Sequence, residues 1–424
     1  MDIRLLAYNL IEEWDVKKSY PNLSLKKALR SVPDLRDRRF ITALVYGVVE
    51  RKITLDHFIN QCASRRVEKM SAAVRSVLRM GVYQMFYMNV PPSAACNTSV
   101  ELIKKSGFAH SSSFVNGVLR SCDRNKEQLL ALKKADYSVR FSIDPMIVDL
   151  LLEQYGKETF LKIIDGISNQ SNAIYLYHNN KKGDSSTFLD QLTKDGIKVT
   201  QTTIPNLYQS NFGFSVEESE SFQNGWYHVV GKHSAEAALL MPKDSKIVLD
   251  LCAAPGGKTF IMATQTDGQI HSFEIHPHKV QLLTQSAKRM GHTNVTACCA
   301  DAAEYKTELK ETADFVLCDV PCSGLGIMGK KPDIKYKSYE SKEFTDLQYK
   351  ILCNASDYLK QGGRLVYSTC TLDKRENEEQ IQHFLKEHPA FSLDTQAVEN
   401  GMKTFLPNIE ADGFFIAALR KVNA

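Results

Sequence analysis

The segment Lys246-Ile-Val-Leu-Asp-Leu-Cys-Ala-Ala-Pro-Gly-Gly-Lys-Thr259 leaves this chain the fewest ways to fold. A run of strand-forming residues ends near Leu251, Pro255-Gly256-Gly257 makes a tight turn, and a helical pattern starts near Lys258. Such a turn presents backbone N–H groups and the positive end of a helix to a ligand, and its glycines let the ligand approach the main chain closely. From about residue 240 onward, short apolar runs ending in a small or acidic residue alternate with helical segments, which predicts a parallel, doubly wound sheet. One rival for the turn is a nucleotide-binding P-loop, whose last three positions fit Gly257-Lys258-Thr259. That pattern needs a glycine where this chain has Cys252.

If the turn holds a nucleoside, the next strand should end in an acid able to take ribose hydroxyls. Gln269-Ile-His-Ser-Phe273 is followed by Glu274, and a helical stretch runs from Lys279 to Arg289. Asn294-Val-Thr-Ala-Cys-Cys299 leads to Asp301, suited to a base's amino group, and Asp314-Phe-Val-Leu-Cys318 leads to Asp319. Any one of these acids could be a helix cap or turn residue. As a series they deliver polar groups to the carboxyl ends of successive strands, where open α/β sheets bind ligands.

Two cysteines share that edge, Cys322 in Asp319-Val-Pro-Cys-Ser-Gly-Leu-Gly326 and Cys370 in Gly363-Arg-Leu-Val-Tyr-Ser-Thr-Cys-Thr371. Either alone reads as a buried thiol. Beside a nucleoside site the pair suggests covalent catalysis, because a thiolate adds readily to an electron-poor ring carbon. The ten cysteines contain no CxxC pair or framework spacing, so zinc clusters and structural disulfides are poorly supported and no metal is expected.

Residues 1–125 show helix-spaced apolar positions with short breaks at Pro33, Pro91-Pro92 and Gly107, so an all-helical domain is expected. Val74, Val77, Leu78, Gly81, Val82, Met85 and Phe86 form a core stripe, with Arg75 and Arg79 on a neighbouring face. This region holds 20 Lys and Arg against 11 Asp and Glu, a balance of +9, while the rest of the chain carries −5 within the net +4. A basic domain suits a nucleic-acid partner, although a solvated helical surface gives the same count. The charged stretch 126–137 can bridge domains, and Ser142-Ile-Asp-Pro145 opens a new helix. From about 138 to 235, helices over 146–155 and 186–195 mix with strand-like runs at 173–177 and 226–230, an α+β module. No apolar run approaches the roughly 18 residues of a membrane span, and the N-terminus lacks a signal peptide's pattern. The expectation is a cytoplasmic protein with reduced thiols and no membrane association.

The strings LDLCAAPGGKT, DVPCSGLG with KPDIK downstream, LVYSTCT with ENE downstream, and GFFIAALRK resemble the Fmu/Sun-type RNA cytosine-5 methyltransferase family. Leu44-Val-Tyr-Gly-Val48, Leu78-Arg-Met-Gly-Val-Tyr-Gln84 and Phe114-Val-Asn-Gly-Val-Leu-Arg120 resemble the NusB-like domain of the members that act on 16S ribosomal RNA. The resemblance implies a multidomain chain: a NusB-like all-α RNA-binding domain over 1–130, a linker and α+β RNA-binding module over 131–237, and a Rossmann-like class I methyltransferase domain over 238–424. It implies S-adenosylmethionine as donor, with Cys252, Ala253, Ala254, Pro255, Gly256, Gly257 and Lys258 forming its loop, Glu274 on the ribose, Asp301 near adenine and Asp319 at the junction with the substrate base. It makes Cys370 the nucleophile on cytosine carbon 6 and Cys322 the residue that releases methylated RNA. Asp319 would hydrogen-bond the cytosine, and Lys258 is a candidate active-site cation as well as a helix-start residue. The target base must leave its stack.

The chain departs from the family pattern in three places. Val230-Gly-Lys-His-Ser-Ala-Glu236 stands where members often carry a Gln-Asp or Gln-Glu pair with Ser, Lys330 and Lys331 stand where arginine is usual, and Ile174-Tyr-Leu-Tyr-His-Asn-Asn180 lacks the arginine of a frequent Arg-Val-Asn pattern. A lysine keeps charge but loses the planar bidentate grip. The expected partner is RNA, first of all 16S ribosomal RNA, with the protein a monomer. Transfer RNA as substrate and an RNA-binding assembly or antitermination factor with a vestigial catalytic domain are the alternatives. An exocyclic-amine methyltransferase fits less well, since Asp319-Val-Pro-Cys322 lacks the aromatic residue such enzymes place after Asp/Asn-Pro-Pro.

Overall fold

Apolar residues at three- and four-residue steps give the N-terminal region its helices, among them Ile3–Lys17, Leu35–Glu50, Lys52–Cys62, Ala72–Tyr87, Pro92–Lys105 and Ser112–Arg124. The computed structural model describes residues 2–17, 21–132, 136–171, 173–210, 214–336 and 341–422. It contains two compact units, Met1–Glu153 with Lys330–Ser338 and Gln154–Gly329 with Tyr339–Ala424. The divisions expected at 130 and 237 therefore fall within the first and second units. Residues 133–135 of the expected bridging stretch lie outside the described residues.

In the helical unit, Ala72–Tyr87 is the central helix: Val74, Val77, Leu78, Val82, Met85 and Phe86 are all buried in one cluster with Ile11, Leu44, Phe58 and Leu119. Ser71 starts it by accepting the Val74 N–H on its hydroxyl. Arg79, read from sequence as lying on a face beside the stripe, is 2% exposed. It is bidentate to Asp56 (2.6 and 2.8 Å) and reaches Asp15 at 2.9 Å, while Arg75 also pairs with Asp15. A fully buried guanidinium is tolerable only because its donors are met by carboxylates. The 330s segment belongs to this unit through Tyr336, whose hydroxyl donates to the Glu50 carbonyl (2.6 Å) and pairs with Ser142 Oγ (2.8 Å). Lys330 and Lys331 are exposed.

The helix expected over 146–155 is Pro145–Ser168, interrupted at Gly156 (φ 71°, ψ 165°), so the expected stop marks the break. Asp144 Oδ1 accepts the Met146 N–H at its start. In the second unit, β1 (Ile174–His178), β2 (Thr200–Gln201), β3 (Leu207–Ser210) and β4 (Tyr227–Val229) form an antiparallel sheet in the order β2-β3-β1-β4. The helix Ser185–Lys194 buries Phe188 and Leu192 in the cluster that holds Leu176, Tyr208 and Tyr227.

The main sheet comprises β5 (Ile247–Asp250), β6 (Gln269–Glu274), β7 (Val295–Cys299), β8 (Ala313–Asp319), β9 (Leu359–Thr369), β10 (Phe391–Leu393), β11 (Met402–Phe405) and β12 (Phe414–Lys421). Its order is β10-β12-β9-β8-β5-β6-β7, with β11 on β12. β5 to β9 pair in parallel, in the Rossmann-like arrangement expected. The expectation of a parallel sheet fails at the far edge, where β12 runs antiparallel to β9, β10 and β11. A parallel return needs a crossover of a dozen or more residues. β11 and β12 are instead joined by the short connection 406–413, which turns the chain back on itself. β12 keeps a near-continuous buried run, Phe414 to Leu419, because both of its faces are covered.

Candidate active site

The strand order reverses between β5 and β8: the chain builds outward through β6 and β7, then returns to the other side of β5. Ligands bind in the crevice outside the carboxyl ends of the strands at such a point. The loops there are 251–256 after β5 and 320–326 after β8.

The first loop is fixed by backbone bonds from Ala253 N to Phe273 O (2.9 Å) and Gly256 N to Ala253 O (2.8 Å). Gly256 has φ +108°, and a Cβ there would lie 2.5 Å from the Phe260 ring, so glycine is required both for conformation and for space. The helix Gly257–Gln265 then points its N-terminus at the crevice. Beneath it, Thr259 Oγ1 donates to Asp250 Oδ2 (2.7 Å), and burial pushes the Asp250 carboxyl up to about 6. His228 of β4 sets Nε2 2.9 Å from the Gly257 carbonyl, and burial lowers its pKa to about 3, so the ring is neutral and donates that bond. A cavity of about 180 Å³ opens over the loop, lined by Cys252, Ala253, Ala254, Pro255, Gly257 and Lys258 together with Asp250, Asp319, Val229, Val230, Gly231 and Ser234. The stretch that departs from the family pattern thus forms one wall.

Lys258 Nζ donates to Asp319 Oδ2 at 2.6 Å, and Ser368 Oγ donates to Asp319 Oδ1 at 2.7 Å. The acid at the end of β8 is therefore held on one side by the helix that follows β5 and on the other by β9. Cys322 Sγ and Cys370 Sγ lie 3.3 Å apart, in hydrogen-bond contact. That hydrogen bond, then burial, raises the Cys322 thiol well above its ordinary pKa. Burial likewise raises the thiols of Cys252 and Cys318 above their ordinary range. Neither Glu274 nor Asp301 lines the cavity; Glu274 Oε1 accepts the His276 N–H (2.9 Å) and Asp301 Oδ1 accepts the Ala303 N–H (2.8 Å). Both sit at the ends of β6 and β7, on the same edge as the loop but further along the sheet. None of the ten cysteines is in a disulfide, and no cluster among the described residues could hold a metal ion.

Several residues around the thiols carry no signal that assigns them a role from sequence alone. Gly326 N donates to the Cys370 carbonyl (2.9 Å), and Gly413 N donates to the Gly326 carbonyl (2.9 Å). The glycines of SGLG and GFF therefore let three segments of main chain meet behind Cys370. Ser323, Thr371, Glu376 and Asn377 form a buried polar network beside the sulfurs. The ENE string was visible; its reach to both cysteine loops was not.

The family model described as "16S rRNA methyltransferase RsmB/F" matches residues 237–420, and that of the "NusB family" matches residues 1–124. The "Probable ribosomal RNA small subunit methyltransferase B" of Bacillus subtilis (strain 168) is 34% identical over 99% of this chain and 98% of its own. The chain belongs to the ribosomal RNA small subunit methyltransferase B family. The relative of that name from Synechocystis is also 34% identical, over 99% of both chains. The crystal structure of PH0851 matches the fold with a TM-score of 0.82 over 99% of both chains at 22% identity. The structure of NSun6 from Pyrococcus horikoshii, solved with SFG, covers 66% of this chain and 99% of its own with a TM-score of 0.59 at 21% identity. As a member of this family the chain is an RNA methyltransferase with a NusB-type helical domain. No described helix is long and apolar enough to cross a membrane.

Proposed function

We propose that this methyltransferase transfers the methyl group of S-adenosylmethionine to carbon 5 of a cytosine in 16S ribosomal RNA through a covalent cysteine adduct. The observation that carries the reading is the pair of sulfurs, 3.3 Å apart, on the edge that also bears the Lys258–Asp319–Ser368 chain. When bound, the donor supplies an electrophilic methyl carbon on a sulfonium. The residues fit it: a cavity floored by backbone, a helix N-terminus, and acids at the ends of β6 and β7 for ribose and adenine.

Cys370 Sγ, as thiolate, adds to cytosine C6, and the C5=C6 electron pair shifts so that C5 becomes nucleophilic. Asp319, fixed by Lys258 and Ser368, accepts a hydrogen bond from the cytosine amino group and so orients the ring for attack. C5 takes the methyl group, and the donor's carbon–sulfur pair stays with its sulfur. The C5 proton then passes to Cys322 Sγ, acting as a base in its thiolate form, the C–H pair restores the double bond, and the C6–Sγ bond breaks with its pair returning to Cys370. The basic domain 1–130 and the module 131–237 would grip RNA, with the protein acting as a cytoplasmic monomer.

The test is incubation with isotope-labelled S-adenosylmethionine and, separately, naked 16S RNA, small ribosomal subunits and transfer RNA, followed by mass spectrometry of the nucleosides. Labelled 5-methylcytidine in 16S RNA or subunits is expected. Label only in transfer RNA overturns the substrate, and label on any atom other than C5 overturns the chemistry.

A further inference from the structure

Arg375-Glu-Asn-Glu378 begins five residues after Cys370 and is not accounted for by donor binding or by the sulfurs themselves. We propose that Asn377 and Glu376 are positioning residues that set the two thiols for two different steps, Asn377 for formation of the RNA adduct and Glu376 for its release. The inference rests on the covalent reading above.

Asn377 is fully buried, and its amide spans the nucleophile: Oδ1 accepts from Thr369 Oγ1 at 2.6 Å and Nδ2 donates to the Thr371 carbonyl at 3.1 Å. Those are the residues on either side of Cys370, so one rigid amide fixes the main chain before and after the attacking sulfur. Glu376, also fully buried, turns to the other loop. Its Oε1 accepts from Ser323 Oγ (2.6 Å), and its Oε2 accepts from Ser323 N (3.1 Å) and Gln348 Nε2 (2.7 Å). Ser323 follows Cys322 directly. A bond of 2.6 Å between Ser323 Oγ and Thr371 Oγ1 ties the two clamps together.

A buried amide beside a buried carboxylate costs desolvation that an apolar pair would not, unless each polar atom is bonded. These bonds fall on the immediate neighbours of the two cysteines, which is where placement matters to the chemistry. A misplacement of about 1 Å at a reacting atom can cost on the order of 100-fold in rate. Because each clamp holds a different sulfur, their loss should separate the steps.

The test uses the full chain with in vitro transcribed 16S RNA, either unmodified or carrying 5-fluorocytidine, whose C5–F bond blocks release and traps the adduct. Asn377→Ala should slow trapping at least tenfold with the donor KM within twofold of wild type. Thr369→Val, which keeps the β-branched shape and removes the hydroxyl that donates to Asn377 and accepts the Thr371 N–H, should act in the same direction and guards against misfolding of the first variant. Glu376→Ala should trap at a rate near wild type yet accumulate adduct on unmodified RNA, with turnover at least tenfold lower. Glu376→Gln should stay within threefold of wild type, because its amide oxygen can face the two N–H donors while its NH2 donates to Ser323 Oγ. If Asn377→Ala and Thr369→Val trap at the wild-type rate, or if all variants lose both steps and donor affinity in proportion, the positioning roles are wrong. If wild-type protein itself methylates unmodified RNA but never traps 5-fluorocytidine RNA, the covalent reading fails first and takes this inference with it.

Discussion

Gly326→Ala should loosen the catalytic edge without touching a reacting group. A Cβ at this position would lie 2.2 Å from the Gly413 carbonyl oxygen and 2.8 Å from that of Cys370, both main chain and unable to swing away. Relief requires the 320–326 loop to part from β12 or from Cys370. Overpacking of this kind costs about 1 to 3 kcal/mol. The parting also weakens the bonds from Gly326 N to Cys370 O and from Gly413 N to Gly326 O, each worth about 0.5 to 1.5 kcal/mol. The movement that relieves the clash is the one that breaks the bonds, so the two costs overlap and the net is about 2 to 4 kcal/mol. At about 1.4 kcal/mol per tenfold, hydrogen exchange at the Gly326 and Gly413 amides should quicken by roughly 30- to 1000-fold. Single-turnover methylation should fall at least tenfold, since the carbonyl of the nucleophile moves with the loop. Gly117→Ala, with nothing within 4 Å of its Cβ, is the control and should change neither. Unaltered exchange and rate in Gly326→Ala would refute the packing argument.

Arg79→Met should destabilise the helical unit by about 3 to 5 kcal/mol, because it leaves Asp56 without its bidentate partner and Asp15 with Arg75 alone; exchange protection along Ala72–Tyr87 measures it, and wild-type protection would contradict the burial of that network. His228→Phe should raise the Kd for S-adenosylmethionine about tenfold by freeing the Gly257 carbonyl, with His228→Gln recovering much of the loss; calorimetric titration decides, and equal Kd values would show that the bond does not shape the loop. Burial lowers His178, His228 and His292 to about 4, 3 and 4. Their folded pKa values lie below the unfolded one, so the stability of the second unit should be full above about pH 6.5 and decline toward pH 4, by roughly 2 kcal/mol per histidine at pH 5. Asp250, raised by burial, works the other way and returns roughly 1.4 kcal/mol over the same interval. A net loss is therefore expected in denaturant titrations between pH 7.5 and 5, and an unchanged midpoint would contradict it.

Much of this architecture was legible because periodicity reports burial. The stripe in Ala72–Tyr87 and the ends of β5, β6, β7 and β8 lay within a residue or two of their expected positions. What failed to show depends on partners far apart in sequence. Arg79 read as beside the stripe because Asp15 and Asp56, which let it be buried, lie 64 and 23 residues away. The antiparallel β12 read as another strand of a parallel sheet, since an apolar run buried on both faces looks the same in either direction. The two cysteine motifs were legible as following β8 and β9, but their contact at 3.3 Å follows from the adjacency of those strands, which no local pattern encodes. His228 lay in a run legible only as a strand, with nothing in it to mark the bond to Gly257.

The covalent fate of the RNA tests the central claim most directly. Wild type, Cys370→Ser and Cys322→Ser are incubated with 16S RNA and S-adenosylmethionine, and protein–RNA complexes that survive denaturation are quantified by gel and located by mass spectrometry. Cys322→Ser should accumulate a complex joined through Cys370, wild type should show it only in passing, and Cys370→Ser should form neither complex nor 5-methylcytidine. Methylation that survives in Cys370→Ser, or a complex joined through Cys322 instead, would contradict the assignment of the two sulfurs.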